Sequence, residues 1–177
     1  MQTIFLALFF LFPELEHSTI EKYYTVQEVK VAIQKVAPQL SRRLVRHYAK
    51  IVHKVTSRRR IDPLLLVAFI THESQWKSNL RSSTNDYGLG QVHVSANGSA
   101  KFLGREKELY RPLTNLQEWS RLAEMWRAYH DRTCDDKHHS WWKHMKWGYK
   151  IKNLKPTKVD VLYQQLKQMF ILRRSEV

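Results

Sequence analysis

Glu73 is the residue whose setting most favours chemistry. It closes a run in which Leu64 to Ile70 are all apolar and lead directly into Thr71, His72, Glu73 and Ser74. Asp62 suits an N-cap and Pro63 the first helical position, where no amide donor is needed. A helix with no polar face is a buried helix, so the run predicts a core helix that ends at Glu73. A carboxyl carried there sits where the core opens onto a cleft, and desolvation favours its neutral form. Such a group can hand a proton to a leaving oxygen and afterwards take one back. The competing reading, a Glu that merely caps or pairs at a helix end, runs against the helix dipole, which disfavours a negative charge at the C-terminus.

The residues after Glu73 supply polar and backbone partners. Ser78 to Asp86 is rich in Ser, Asn and Thr and predicts a loop. Gly88 and Gly90 let the backbone approach a ligand or a neighbouring element closely, and Gln91 offers both a donor and acceptors. A tight turn explains the two glycines equally well, and only Glu73 upstream tips the balance.

Taken in order, Glu73-Ser74, the polar loop, Tyr87-Gly88-Leu89-Gly90-Gln91 and Pro112-Leu113-Thr114-Asn115-Leu116 resemble the goose-lysozyme-like lytic transglycosylases of the soluble-transglycosylase family. That family carries a Glu-Ser pair at the end of a core helix, a Gly-Leu-Met-Gln turn and an Asp-Pro-x-x-Asn-Ile start to its next helix. The resemblance spans about Asp62 to Gly148, with Gly90 standing where the family usually has Met. The family's third motif, Ala-Tyr-Asn-x-Gly, has its nearest match in His144-Met145-Lys146-Trp147-Gly148, which keeps only the glycine. Met145 and Lys146 then replace a tyrosine and an asparagine, and the tyrosine's contact to Glu73 is either missing or supplied by another residue such as Tyr149 or Tyr163.

The resemblance implies a mostly α, lysozyme-like fold of the transglycosylase SLT type with an N-terminal helical extension. It implies cleavage of the β-1,4 bond between N-acetylmuramic acid and N-acetylglucosamine in peptidoglycan, with closure of a 1,6-anhydro ring. Glu73 would be the catalytic residue. Ser74, Leu89, Gln91, Val92, Met145 and Lys146 would form the substrate site. No cofactor and no metal is implied. Two alternatives stay open: a goose-type muramidase in which Asp86 holds a water, and a non-catalytic wall-binding or virion protein that kept the fold.

The elements that must position these residues are helical. Thr25 and Glu28 form a capping box ahead of Val26, Val29, Ile33, Val36 and Leu40 at helical spacing, and Pro38 separates this helix from a second. In the second, Leu44, Tyr48, Ile51 or Val52, and Val55 make the apolar stripe. Asn115 with Glu118 signals a further helix start, ahead of a core stripe at Leu116, Trp119, Leu122, Ala123, Trp126 and Tyr129. Gly104 to Pro112 is expected to be a charged loop. Thr157 with Asp160 starts a last helix that closes the core, with Val159, Leu162 or Tyr163, Leu166, and Met169 or Phe170 inward. Trp141, Trp142, Trp147 and Tyr149 form a dense aromatic segment that suits a core or the apolar face of a sugar.

At 177 residues the chain is long enough for one core without staples. The expected division is a signal or apolar segment over 1–20, a helical part over 21–60 and the lysozyme-like domain over 61–177. Thirty Lys and Arg against 16 Asp and Glu give a formal charge of +14, which draws the chain to polyanions. Arg42, Arg43, Arg46, Lys50, Lys54 and Arg58-Arg59-Arg60 are the strongest candidates for such contacts. No aromatic residues are interleaved with them and no phosphate loop is present, so nucleic acid is disfavoured against anionic wall or membrane polymers. Cys134, His138, His139 and His144 match no zinc spacing, and a single cysteine forms no internal disulfide. The apolar run Ile4 to Phe12 is too short to span a bilayer. It resembles a signal-peptide core without a basic start or a small-residue cleavage site. Export to the periplasm or outside follows if it is a signal; otherwise the expected place is a virion.

Overall fold

The computed structural model describes residues 24–96, 98–134, 140–147 and 155–175, without the side chains of residues 146, 147 and 173–175. The N-terminal apolar run, His138, His139, Gly148 and Tyr149 lie outside the described residues. The described chain is mostly helical: α1 (Val26–Val36), α2 (Arg42–Arg59), α3 (Pro63–Glu73), α4 (Pro112–Thr133), α5 (Lys143–Trp147) and α6 (Lys158–Ser175). Two strands, β1 (Asp86–Tyr87) and β2 (Val92–His93), pair antiparallel with Asp86 opposite His93 and Tyr87 opposite Val92. None of the described helices is long and apolar enough to cross a membrane.

The organising element is α3. Asp62 accepts from the Leu64 amide at 2.8 Å and Pro63 occupies the first turn, as the sequence predicts. Every residue from Pro63 to Ile70 is buried, because α1, α2 and α6 all pack against this helix. Burying a Leu or Ile side chain contributes about 2 kcal/mol each, so this helix contributes heavily to the core. Its N-terminal end is tied to the last helix by the Tyr163 hydroxyl, which donates to Asp62 Oδ2 at 2.7 Å. Burial, reinforced by the neighbouring Asp62 charge, pushes the Tyr163 phenol up, which keeps it the donor of this bond. The Thr157–Asp160 pair forms a reciprocal cap at the start of α6, whose Val159, Tyr163, Leu166 and Phe170 face inward.

The Thr25–Glu28 capping box is present and α1 stops before Pro38. In α2 the inward residues are Val45, Tyr48, Val52 and Val55, and Leu44 is 41% exposed. Leu44 lies in the first turn, where its backbone amide is taken by the Ser41 cap, and the buried stripe begins one residue later. The charged segment before α4 is a 3-10 turn, Glu106–Tyr110, rather than an open loop.

The expected cap at Asn115 is corrected. Helix α4 starts a turn earlier, on Pro112, and both Asn115 and Glu118 are buried within it. Glu118 instead accepts from Ser99 Oγ at 2.7 Å and from Arg121 Nη2 at 2.7 Å, and pairs with Lys101. Burial opposes its ionisation, but the hydrogen bonds from Arg121, Lys101 and Ser99 outweigh that and hold its pKa at about 2. The unfolded carboxyl titrates near 4.5, so the folded value is depressed. The linked stability is therefore complete above pH 4.5 and lost as pH falls toward 2. Acid unfolding followed by circular dichroism should show this loss, on the order of 3 kcal/mol. Glu118→Gln should flatten the curve over that interval.

Candidate active site

Glu73 is the last residue of α3, and its side chain is half-buried, less dry than the apolar run before it suggests. No described group donates a hydrogen bond to its carboxylate or pairs with it. The chain then turns sharply. Ser74 is 1% exposed and donates back to the Ile70 carbonyl at 3.2 Å. Gln75 and Trp76 follow with φ of 50° and 67°, two successive non-glycine residues in the left-handed region. Such residues are costly singly, on the order of 1 kcal/mol or more each, and persist where packing over-determines them. Trp76 supplies that packing: it is 3% exposed, lies tilted against the Tyr48 ring at 5.6 Å and donates from its indole to Thr71 Oγ1 at 3.1 Å. The Thr71–Trp76 bond thus spans the helix end that carries Glu73.

A shallow, nearly filled depression with only about 10 Å³ of enclosed space lies beside the carboxylate. Phe69, His72 and Glu73 of α3 line one side, Trp142 and Lys143 the second, and Thr157 and Val159 the third. Trp142 is fixed by its indole, which donates to Asp160 Oδ1 at 2.6 Å, and by its edge contact with Tyr163 at 5.6 Å. Sequence reasoning did not single out Lys143, Thr157 or Val159 for this site. The only signals were the density of aromatics around Trp142 and the cap at Thr157, neither of which points to Glu73 on its own.

The Gly88–Gln91 segment forms the turn of the β1–β2 hairpin, and Asn115 holds it. Asn115 is 0% exposed; its Oδ1 accepts from the Gly90 amide at 2.7 Å, and its Nδ2 donates to the Tyr87 and Leu109 carbonyls at 2.7 and 3.0 Å. Gly88 has φ +72°, and a Cβ there would lie 2.3 Å from the Leu109 oxygen. Gly90 is needed for space: an added Cβ would lie 2.7 Å from Trp119 Cδ1. Trp119 in turn packs edge-on against Phe69 at 5.1 Å, and Phe69 lines the Glu73 pocket. The position where the resembling family places a methionine is therefore filled from the other side by an indole.

The predicted sugar-contacting residues divide accordingly. Ser74, Leu89 and Val92 are 1%, 0% and 1% exposed, so they support the fold rather than face a ligand. Gln91, half-buried with φ 45°, turns its side-chain amide inward to the Gly88 carbonyl at 2.8 Å. Met145 is half-buried against the core, and the side chain of Lys146 lies outside the described residues. Tyr163 does not reach Glu73, because its hydroxyl is engaged at the opposite end of α3; among the described residues Trp142 and Phe69 are the rings that line the pocket with Glu73. Asp86 spends both oxygens inside the hairpin, accepting from Ser82 and Thr84 at 2.6 Å each and pairing with His93 Nδ1 at 2.8 Å. His144 is buried, stacked on Trp126 and 3.7 Å from Cys134 Sγ. Among the described residues no group of three or more His, Cys, Asp or Glu could hold a metal ion.

Two outcomes follow from the hairpin's anchorage. Asn115→Ala removes three buried hydrogen bonds and should lower urea-unfolding stability by about 3 kcal/mol. Gly90→Met should destabilise strongly by overlap with the indole, and Trp119→Leu in the same chain should restore part of the loss. Equal, additive losses in the single and double variants would show that the two positions do not share that space.

Residues 50–132 match the family model of the transglycosylase SLT domain. No curated protein matches the chain. The match begins inside α2 and ends inside α4, so it takes in Glu73, the hairpin turn and Asn115 together. With a core helix ending on a glutamate, and a Gly-Leu-Gly-Gln turn held by a buried asparagine, the mostly helical chain is similar over residues 50–132 to the transglycosylase SLT domain, consistent with the lysozyme-like type.

Proposed function

We propose that the chain is a peptidoglycan lytic transglycosylase with Glu73 as its one catalytic carboxyl. The observation that carries this reading is a half-buried carboxylate with no partner among the described residues, beside a depression with an aromatic wall at Trp142. A glycan lying over it removes its remaining water, which favours the neutral acid. Glu73 then protonates the bridging oxygen as the C1–O bond of the muramic acid residue breaks. The resulting carboxylate takes the proton from that sugar's 6-hydroxyl, and O6 closes on C1 to give the 1,6-anhydro ring. Protons balance and no water enters.

The engagement of Asp86 by Ser82, Thr84 and His93 favours this route over hydrolysis. A hydrolase of the two-carboxyl type needs a second carboxylate free to hold a water. Digestion of purified peptidoglycan should release muropeptides lighter by one water than hydrolytic products, read by mass spectrometry. Glu73→Gln should lower the rate by at least a factor of about 100, the scale of general acid–base catalysis. Products with reducing ends alone would overturn the transglycosylase reading, and unchanged lysis in Glu73→Gln would overturn the catalytic one.

A further inference from the structure

A second depression lies away from Glu73. A cleft of about 440 Å³ opens between the end of α2, the 3-10 turn Ala100–Phe102 and the first half of α4, and it shares no lining residue with the Glu73 pocket. Lys54, Arg58, Arg59, Lys101 and Arg121 line it, against the single carboxylate of Glu118. That carboxylate is 2% exposed and holds Arg121 through Nε and Nη2, with Lys101 on its second oxygen. Two of the cations are thus locked in place from beneath. Arg59 is paired with Glu124, whereas Lys54 and Arg58 are exposed and make no ion pair among the described residues.

The cleft continues into a row. Arg42, Arg46, Lys50, Lys54 and Arg58 recur every fourth residue along α2, and all are exposed. At a rise of about 1.5 Å per residue the charges stand about 6 Å apart along the axis. The opposite face of α2 is buried in the core, so no apolar band accompanies the row as an interfacial membrane helix would require. The aromatic ring in the cleft, Phe102, is 6% exposed and covered by the Lys101 ammonium at 5.2 Å, leaving no platform for base stacking. Charge without apolar or stacking surface suits a flexible polyanion whose repeat carries only phosphodiester charge.

We propose that this cleft and the α2 row form a second binding site, for a linear phosphodiester polymer without bases, of the poly(glycerol phosphate) kind. The choice of a wall-borne polymer rests on the proposed glycan substrate; the site itself rests on the cleft. The test is fluorescence anisotropy of a labelled poly(glycerol phosphate) oligomer with the full chain. About five phosphate contacts, each contributing a salt slope of about 0.7, predict an affinity loss on the order of 100-fold between 50 and 200 mM salt. Lys54→Glu with Arg58→Glu should weaken binding more than tenfold, and Lys54→Gln with Arg58→Gln less but in the same direction. Lys35→Glu with Lys107→Glu changes net charge equally at exposed positions outside the cleft and row, and should cost less than threefold. Glu73→Gln should bind as the wild type does. Equal losses in the two charge-reversed pairs would overturn the site in favour of the overall field of the chain. Tighter binding to a charge-matched single-stranded oligonucleotide, or to phosphatidylglycerol vesicles, would overturn the choice of polymer. A chain that binds the oligomer without cutting peptidoglycan sinks only the glycan reading, and one that cuts without binding sinks only this one.

Discussion

A single buried amide fastens the β1–β2 hairpin to α4. Two-residue strands are too short to persist on their own pairing, and among the described residues only the isolated bridge between Arg81 and Tyr87 extends the β1–β2 hairpin. The hairpin stays in place because Asn115 reaches out of α4 and satisfies Gly90, Tyr87 and Leu109 at once. An asparagine has the one acceptor and two donors that this junction demands. Alanine would leave three buried backbone groups unpaired, and aspartate could accept from Gly90 but not donate to the two carbonyls. The shape of the turn, the register of the strands and the packing of Gly90 on Trp119 all follow from that arrangement.

Much of the frame was legible in the chain itself, because the signals were local. Asp62, Pro63 and the apolar run fix where α3 begins, how it is buried and that Glu73 ends it. Thr25 with Glu28, and Thr157 with Asp160, cap their helices through side chains three residues apart. Asn115 misleads for the opposite reason. Its residue type suits a cap, but its partners lie 6, 25 and 28 residues away, and nothing in the local pattern marks them. The same limit applies to the pocket, whose walls come from three separated segments. It also applies to Leu89 and Val92, whose motif membership suggested contact with a sugar where burial makes them supports.

The two depressions divide the electrostatics. Around Glu73 the carboxylate has no partner among the described residues, and the helix end that carries it is followed by strained backbone at Gln75 and Trp76 and tied by the Trp76 indole to Thr71. Around Glu118 the carboxylate is fully engaged and serves to fix cations. The first arrangement leaves a proton site open to an incoming group; the second spends a negative charge on organising positive ones.

The uniform burial of α3 carries a cost before folding is complete. Leu64 to Ile70 is a seven-residue stretch without charge, glycine or proline, the kind of window that pairs with copies of itself when an unfolded chain exposes it. Pro63 stands immediately before it and His72 and Glu73 just after, a flanking pattern that interrupts strand growth at both ends. The surplus of 14 positive charges adds long-range repulsion between nascent chains. The helix that delivers the carboxyl is thus also the segment most in need of protection from aggregation, and the basic surface helps to keep the newly made chain soluble until α1, α2 and α6 close over it.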